Sequence, residues 1–300
     1  MKTIAKKLTA YGNLGIVQFK QEPRSVIAFI PGAPEMKSGG LVISESTGEG
    51  VVGQLIAMNH TKNYLLLTDA DILVGAKQNR VVNYSLLLAP YSKTTLDVSC
   101  IERLRWHYVS DKFDAPKTVA EHMLRKEKTR SLSLKFQPGS FQPHTQSIVW
   151  SHIHANLEEN KCFSETESYA DLIDHRMKKI ENKIPACEPE NECNGIAVVL
   201  NHKVISADVF GNDEVYRYYF PLLRDSAFRA AEFWNTETDL EEDEAFYRVL
   251  DFLDNADHCA RRTVKDYKGS GVFQMIENNM VVGQELTFEN QPVHIALFAK

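Results

Sequence analysis

The sequence predicts an α+β protein, with a β-rich, sandwich- or barrel-like N-terminal half and a mixed helix–strand C-terminal half. Three observations carry this expectation. Short apolar, β-branched runs alternate with turn signals over the first 110 residues; the apolar spacing becomes helical after residue 145; and strand-like runs return after residue 195. In the first half the runs are Gly15–Phe19, Val26–Ile30, Leu41–Ser44, Val51–Met58, Tyr64–Leu67, Ile72–Val74, Val81–Leu88 and Leu96–Trp106. Turns are expected at Pro31-Gly32, Ser38-Gly39-Gly40, Thr47-Gly48-Glu49-Gly50 and Asn59–Asn63. Leu65-Leu66-Leu67 and Leu86-Leu87-Leu88 are apolar on both faces, so both sides of that sheet should be covered.

Residues 111–147 are polar and broken by Pro116, Pro138, Gly139 and Pro143, which predicts a connector with one short helix near Val119–Arg125. Ile148/Val149, Ile153 and Leu157 keep helical spacing. Ser164 and Glu167 form a capping box for a helix through Tyr169, Leu172/Ile173, Met177, Ile180 and Ile184. Gly195–Leu200 and Val204–Phe210, joined by Asn201-His202-Lys203, predict a hairpin. A helix is expected over 213–233, kinked or split at Pro221. A second capping box, Thr238 with Glu241, precedes a helix burying Phe246, Val249, Leu250 and Leu253. Gly271–Glu277, Met280–Leu286 and Val293–Phe298 should be strands. The pattern along the chain divides it into a β-rich domain over 1–110, a connector over 111–147 and an α+β portion over 148–300, packed on the first or continuous with it.

Composition bounds the class. Of 300 residues, 43% are hydrophobic and 25% charged, typical of a globular protein with an ordinary core. No run approaches the roughly 20 apolar residues of a membrane span, so no membrane association is expected. Met1–Lys7 is basic without an apolar region behind it, which argues against a secretory leader. Five sparse cysteines suggest reduced thiols and a cytoplasmic setting. Residues 1–150 carry 19 Lys/Arg against 12 Asp/Glu, whereas residues 151–300 carry 15 against 28. The net charge of −6 argues against nonspecific nucleic-acid binding, while the basic first half permits a compact anion site. The asymmetry is equally compatible with two halves that attract each other.

The densest polar constellation within strand-like sequence is Lys77, Gln78 and Arg80, followed by Cys100, Glu102, Arg105 and Trp106. The even positions from 80 to 88 and from 96 to 106 are apolar faces interrupted by Arg80 and Glu102. A hairpin closing at Pro90–Thr94 with Leu88 opposite Leu96 would set Val82 opposite Glu102 and Arg80 on its diagonal. Two readings follow. In one, Arg80 and Glu102 form a buried structural ion pair capped by Trp106. In the other, Lys77, Arg80 and Arg105 receive an anion, Gln78 helps to bind it and Trp106 stacks on it. Glu102 is then the candidate general base and Cys100 a candidate nucleophile, each acting on the bound molecule. Cys187-x5-Cys193 lacks zinc-site spacing, and His152 and His154 diverge by about 200° on a helix, so no metal or cofactor is expected. His144 and His294 are lone residues, expected to be structural or at the surface. Asp208-Val209-Phe210-Gly211 stands without the other kinase signatures, and phosphate-loop and nucleophile-elbow motifs are missing.

Ile72–Asn83, with Gly75-Ala76-Lys77-Gln78-Asn79-Arg80 at its centre, and Val98–Trp106 resemble the ADP-ribosylglycohydrolase and rhodanese-phosphatase-superfamily-associated protein domain. So do Tyr11–Leu14, the stretch from Gln146 through Val149-Trp150 to Ile153, and Gly195–Leu223. The likeness covers essentially the whole chain. Its pattern falls on Lys77, Gln78, Arg80, Cys100, Glu102, Arg105 and Trp106; Thr68-Asp69-Ala70-Asp71 departs from it, standing where relatives tend to carry Gly-Glu. The resemblance implies a link to ADP-ribose or phosphate-ester metabolism by association. The resulting expectation is a phosphorylated small-molecule ligand; the alternative is a non-catalytic protein-interaction module built on a buried Arg80–Glu102 network.

Overall fold

A computed structural model describes residues 2–46, 50–115, 118–136, 145–180, 184–230 and 240–300. The expected turn at 47–49, the breakers Pro116, Pro138, Gly139 and Pro143, His144, Thr238 and the end of the helix expected over 213–233 lie outside the described residues. The protein is α+β and β-rich.

In chain order, the elements begin with β1 (Lys2–Tyr11), β2 (Leu14–Glu22), β3 (Phe29–Pro31), α1 (Gly32–Ser38), β4 (Leu41–Glu45), β5 (Gln54–Asn59) and β6 (Tyr64–Leu67). They continue with β7 (Ile72–Gly75), β8 (Arg80–Val82), β9 (Leu86–Leu88), β10 (Lys93–Cys100), β11 (Phe113–Asp114), α2 (His122–Lys135), α3 (Thr145–Glu159) and α4 (Tyr169–Ile180). The last part holds β12 (Gly195–Leu200), β13 (Lys203–Phe210), α5 (Asp213–Ala230), α6 (Glu242–Asp257), β14 (Arg261–Thr263), β15 (Val272–Glu277), β16 (Val281–Phe288) and β17 (Gln291–Ala299).

The chain forms two compact units, one of residues 1–28, 182–267 and 271–300, the other of residues 29–181 and 268–270. They do not follow the expected division at 110 and 147. The reason is strand pairing: β2 lies antiparallel to β12, which takes the N-terminal hairpin out of the β-rich half. In the first unit an antiparallel sheet runs β1-β2-β12-β13-β17-β16-β15-β14. Odd-numbered Val17, Phe19, Ala207, Val209, Ile295 and Leu297 face α6, whose Ala245, Val249, Phe252, Leu253 and Ala256 complete one core. On the opposite face Phe210 stacks between Tyr219 of α5 and His294. His294 is fully buried, its Nε2 3.2 Å from Asp208 Oδ1. The 195–210 hairpin forms as expected, with Asn201 and His202 both at positive φ. Pro221 sits inside α5 without splitting it.

The second unit holds the sheets β11-β7-β8-β10-β5-β4 and β3-β6-β9. Against the first, α2, α3 and α4 bury Leu124, Val149, Ile153, Leu157, Leu172 and Ile173 over Ile72, Val81 and Ile101. The capping box expected at Ser164 and Glu167 does not form. Ser164 Oγ instead accepts the Ser168 N–H at 2.8 Å, and Glu167 takes a positive φ before α4 begins. Glu241 precedes α6 without a side-chain cap bond.

One packing constraint has a measurable consequence. A Cβ on Gly195 would lie 2.2 Å from the ring of Phe19, which is fully buried in the sheet core. Gly195→Ala should therefore cost about 1–3 kcal/mol by overpacking, read as a lower urea midpoint at unchanged slope.

Candidate functional site

Lys77, Gln78, Arg80, Cys100, Glu102, Arg105 and Trp106 all lie in the second unit, around the turn between β7 and β8 and the segment that leaves β10. Gly75 opens that turn at φ +123°, where a Cβ would come within 2.5 Å of Ser110 Oγ. Ala76 follows at φ +41° and is held on both sides: its N–H donates to Ser110 Oγ at 2.9 Å, and its carbonyl accepts from the Val109 N–H at 3.0 Å. The glycine in this motif is thus a backbone requirement.

Strand register corrects the expected pairing. Val82 faces Val98 and Arg80 faces Cys100, so Val82 is not opposite Glu102. The expected hairpin assumed continuous strands on either side of Pro90–Thr94. Residues 83–85 instead interrupt the first strand, and β9 leaves to pair with β6. Glu102 lies beyond the end of β10, and its ion pair is with Arg105, Nη2 to Oε2 at 2.6 Å. Arg80 has its long ion pair elsewhere, at 3.9 Å from Glu45 of β4.

Two kinds of environment result. The Glu102 carboxylate accepts from Arg105 Nη2, the Asn79 N–H at 3.2 Å and Thr166 Oγ1 at 3.0 Å. Burial alone would raise its pKa, but the Arg105 hydrogen bond, the Asn79 N–H, the Arg105 charge and the Thr166 hydroxyl together hold it below the ordinary carboxylate value. Arg105 also donates to the carbonyls of Ala76 and His107 and to Asn79 Oδ1. Gln78 Nε2 donates to the Glu102 carbonyl at 2.9 Å. Glu102, Arg105, Gln78 and Asn79 therefore form a closed, mutually satisfied network.

Arg80 is different. Its side chain is fully buried, and Nη1 donates to Gln78 Oε1 at 3.1 Å. Among the described residues, however, Nε and Nη2 have no hydrogen-bond acceptor, and Glu45 Oε2 has no donor. Burial lowers the Arg80 pKa, partly offset by the neighbouring Cys100 and Glu45. Cys100 is buried opposite it, and burial pushes its thiol up despite the Arg80 charge. Above this pair stand two half-exposed aromatic rings, Trp106 and Tyr108. Lys77 Nζ lies 5.3 Å from the Trp106 centroid and 5.0 Å from that of Tyr108, and the Arg80 guanidinium carbon is 5.9 Å from Trp106.

Glu45, Tyr108 and Thr166 also reach the site, from remote or irregular segments that carry no local sequence signal. A second buried network lies along α2. Arg125 donates to both carboxylate oxygens of Asp69 at 2.9 and 3.0 Å. Fully buried Lys128 donates to the carbonyls of Asp69 and Val82, and burial pushes its pKa down to about 7. Arg125 and Lys128 lie three apart on one face of α2, a charged stripe beside Leu124 and Leu132 that was a visible signal. His152 bonds with Asn156, whereas His154 lies between Glu158 and Glu167; the two histidines diverge as expected.

With this geometry in place, comparison identifies the class. The ARPP-1 family, described as the ARG and Rhodanese-Phosphatase-superfamily-associated Protein domain, matches residues 3–298, and the chain belongs to that family. No curated protein and no solved structure matches it. Among the described residues no helix is long and apolar enough to cross a membrane.

Glu102→Gln tests the closed network. Leaving the Arg105 charge against a neutral partner should cost about 3 kcal/mol in chemical denaturation. Because the folded-state pKa of Glu102 is depressed, its contribution is complete above the ordinary carboxylate value and is lost as pH falls through the lower folded value. The acid limb of the stability curve should therefore be shallower in Glu102→Gln than in the wild type.

Proposed function

We propose that the second unit binds a phosphorylated small molecule of the ADP-ribose type at the face formed by Lys77, Arg80, Trp106 and Tyr108. The observation that carries this reading is the pair of unbonded donor groups on fully buried Arg80. A buried guanidinium normally finds acceptors for its N–H groups, because each orphaned donor costs about 1–3 kcal/mol. Such a cost is commonly retained where a ligand supplies the acceptor. Lys77 is the point charge for a phosphate, and the half-exposed indole offers a flat face on which a base can stack. The family's association with ADP-ribosylglycohydrolase and rhodanese-phosphatase proteins supports this ligand class. Arg105, Glu102 and Gln78 act here as the brace that presents the binding face. Their hydrogen bonds are spent on one another and on the backbone.

A second reading, a protein-interaction module, is favoured by one observation: Leu104, Trp106, Tyr108 and Val109 are all exposed along a single short segment. A thermal-shift titration separates the two. ADP-ribose at 100-fold over its dissociation constant adds about 2.7 kcal/mol, equivalent to a rise of roughly 5 °C or more for a domain of this size. Trp106→Ala and Lys77→Met should each remove most of that rise while leaving the unliganded midpoint nearly unchanged. No shift with ADP-ribose, ADP, ribose 5-phosphate or inorganic phosphate would overturn the ligand-binding reading and leave the interaction module.

A further inference from the structure

The unmet donors of Arg80 do not stand alone. Glu45 Oε2 is buried and has no donor among the described residues, and it belongs to the same carboxylate whose Oε1 lies 3.9 Å from Arg80 Nη2. That carboxylate is not adrift. Its Oε1 also accepts the Lys77 N–H at 3.3 Å, so the turn that carries Lys77 and Arg80 fixes Glu45 beside them. The main chain at Gly50, φ +77°, packs against it, and a Cβ there would stand 3.2 Å from Oε2 and 3.3 Å from Lys77 Cδ. The glycine keeps a side chain away from the unbonded oxygen.

Arg80 and Glu45 thus present donors and an acceptor side by side, at a distance too long to satisfy each other. Chemistry limits what completes such a pair. A fully deprotonated phosphate satisfies Arg80 but brings negative charge against a buried carboxylate, which low dielectric makes costly. A hydroxyl fits both partners: its oxygen accepts from Arg80 and its proton is donated to Glu45. Two neighbouring hydroxyls match the pair better still, since Arg80 has free donors on both Nε and Nη2. We infer that Glu45 is a specificity-determining residue that seats the vicinal hydroxyls of a ribose on Arg80 and directs the phosphate outward to Lys77. This inference rests on the ligand-binding reading above and deepens it, assigning the buried pair to the sugar and the half-buried lysine to the anion.

Calorimetric titration of wild type and Glu45→Gln with ribose 5-phosphate, 2-deoxyribose 5-phosphate and inorganic phosphate tests it, with ADP-ribose as the control ligand. The wild type should bind ribose 5-phosphate about tenfold or more tighter than its 2-deoxy counterpart, because loss of one hydroxyl leaves buried groups unpaired. In Glu45→Gln that preference should fall to about twofold or less, and inorganic phosphate should bind about tenfold tighter than to the wild type. Equal wild-type affinity for the two sugar phosphates would overturn the role of Glu45, as would a variant that keeps the preference; ADP-ribose binding would still stand. Wild-type protein that binds neither sugar phosphate nor ADP-ribose would instead overturn the ligand-binding reading itself, and this inference with it. If Glu45→Gln fails to fold, the wild-type ratio alone decides.

Discussion

The carboxylate of Glu102 is the fixed point of the second unit's polar interior. It ties together segments that no regular ladder joins: the turn between β7 and β8 through the Asn79 N–H, the irregular stretch after β10 through Arg105, and the approach to α4 through Thr166. Burying an isolated carboxylate is expensive, and the cost is met only because a guanidinium, an amide and a hydroxyl converge on it. Arg105, drawn inward by that charge, also takes the carbonyls of Ala76 and His107. This holds the left-handed conformations of Gly75 and Ala76 in place and leaves the neighbouring Trp106 and Tyr108 at the surface.

Against that network Arg80 is the exception. The same unit buries other cations, and each is matched. Arg125 grips Asp69 with two parallel bonds, and Lys128 finds the carbonyls of Asp69 and Val82. Arg176 is held by Glu121 and by Asn156 Oδ1 at 2.7 Å. The fold evidently can satisfy a buried charge where stability is all that is required. At Arg80 it supplies an incomplete partner, a carboxylate set too far off for a hydrogen bond and bonded to the N–H of Lys77, whose ammonium lies against two aromatic rings. Within this unit, that contrast between satisfied and unsatisfied guanidinium groups, rather than the number of charges, is what supports the proposed ligand-binding role of Arg80.

Much of this was legible in the sequence, to different depths. The 195–210 hairpin announced itself through its Asn-His turn, and the helical spacing from Tyr169 to Ile180 located α4, because local signals suffice for both. The N-terminal strand was harder: β1 is a partly exposed edge strand with three lysines among its first six residues and a register shift between Ala5 and Lys7, so it carries no clean alternation. Strand parity picked out residues that the structure does bring together, but in the wrong register. It counted Val81–Leu88 as one strand, whereas residues 83–85 break it and send β9 to another sheet. The resulting four-residue displacement, from Glu102 to Val98 opposite Val82, is why Glu102 and Arg80 are not ion-paired to each other. Glu45 could not have been found this way, since it meets Arg80 only through a sheet whose strand order is not local.

The electrostatics also bear on the chemistry open to the cluster in the proposed ligand-bound state. A general base needs an accessible lone pair and a pKa near the working pH. Glu102 is nearly buried, engaged by three donors and held below the ordinary carboxylate value, the opposite of the raised value an effective base requires. A nucleophilic thiol needs its thiolate, and burial drives Cys100 away from it even with Arg80 opposite. In our reading both residues therefore serve the geometry of the face: Glu102 by fixing Arg105 and the turn, Cys100 by filling the space across from Arg80. Any chemistry on a bound molecule would have to begin at its outward end, near Lys77, where the described groups are a cation and two aromatic rings suited to holding a phosphate rather than cleaving it.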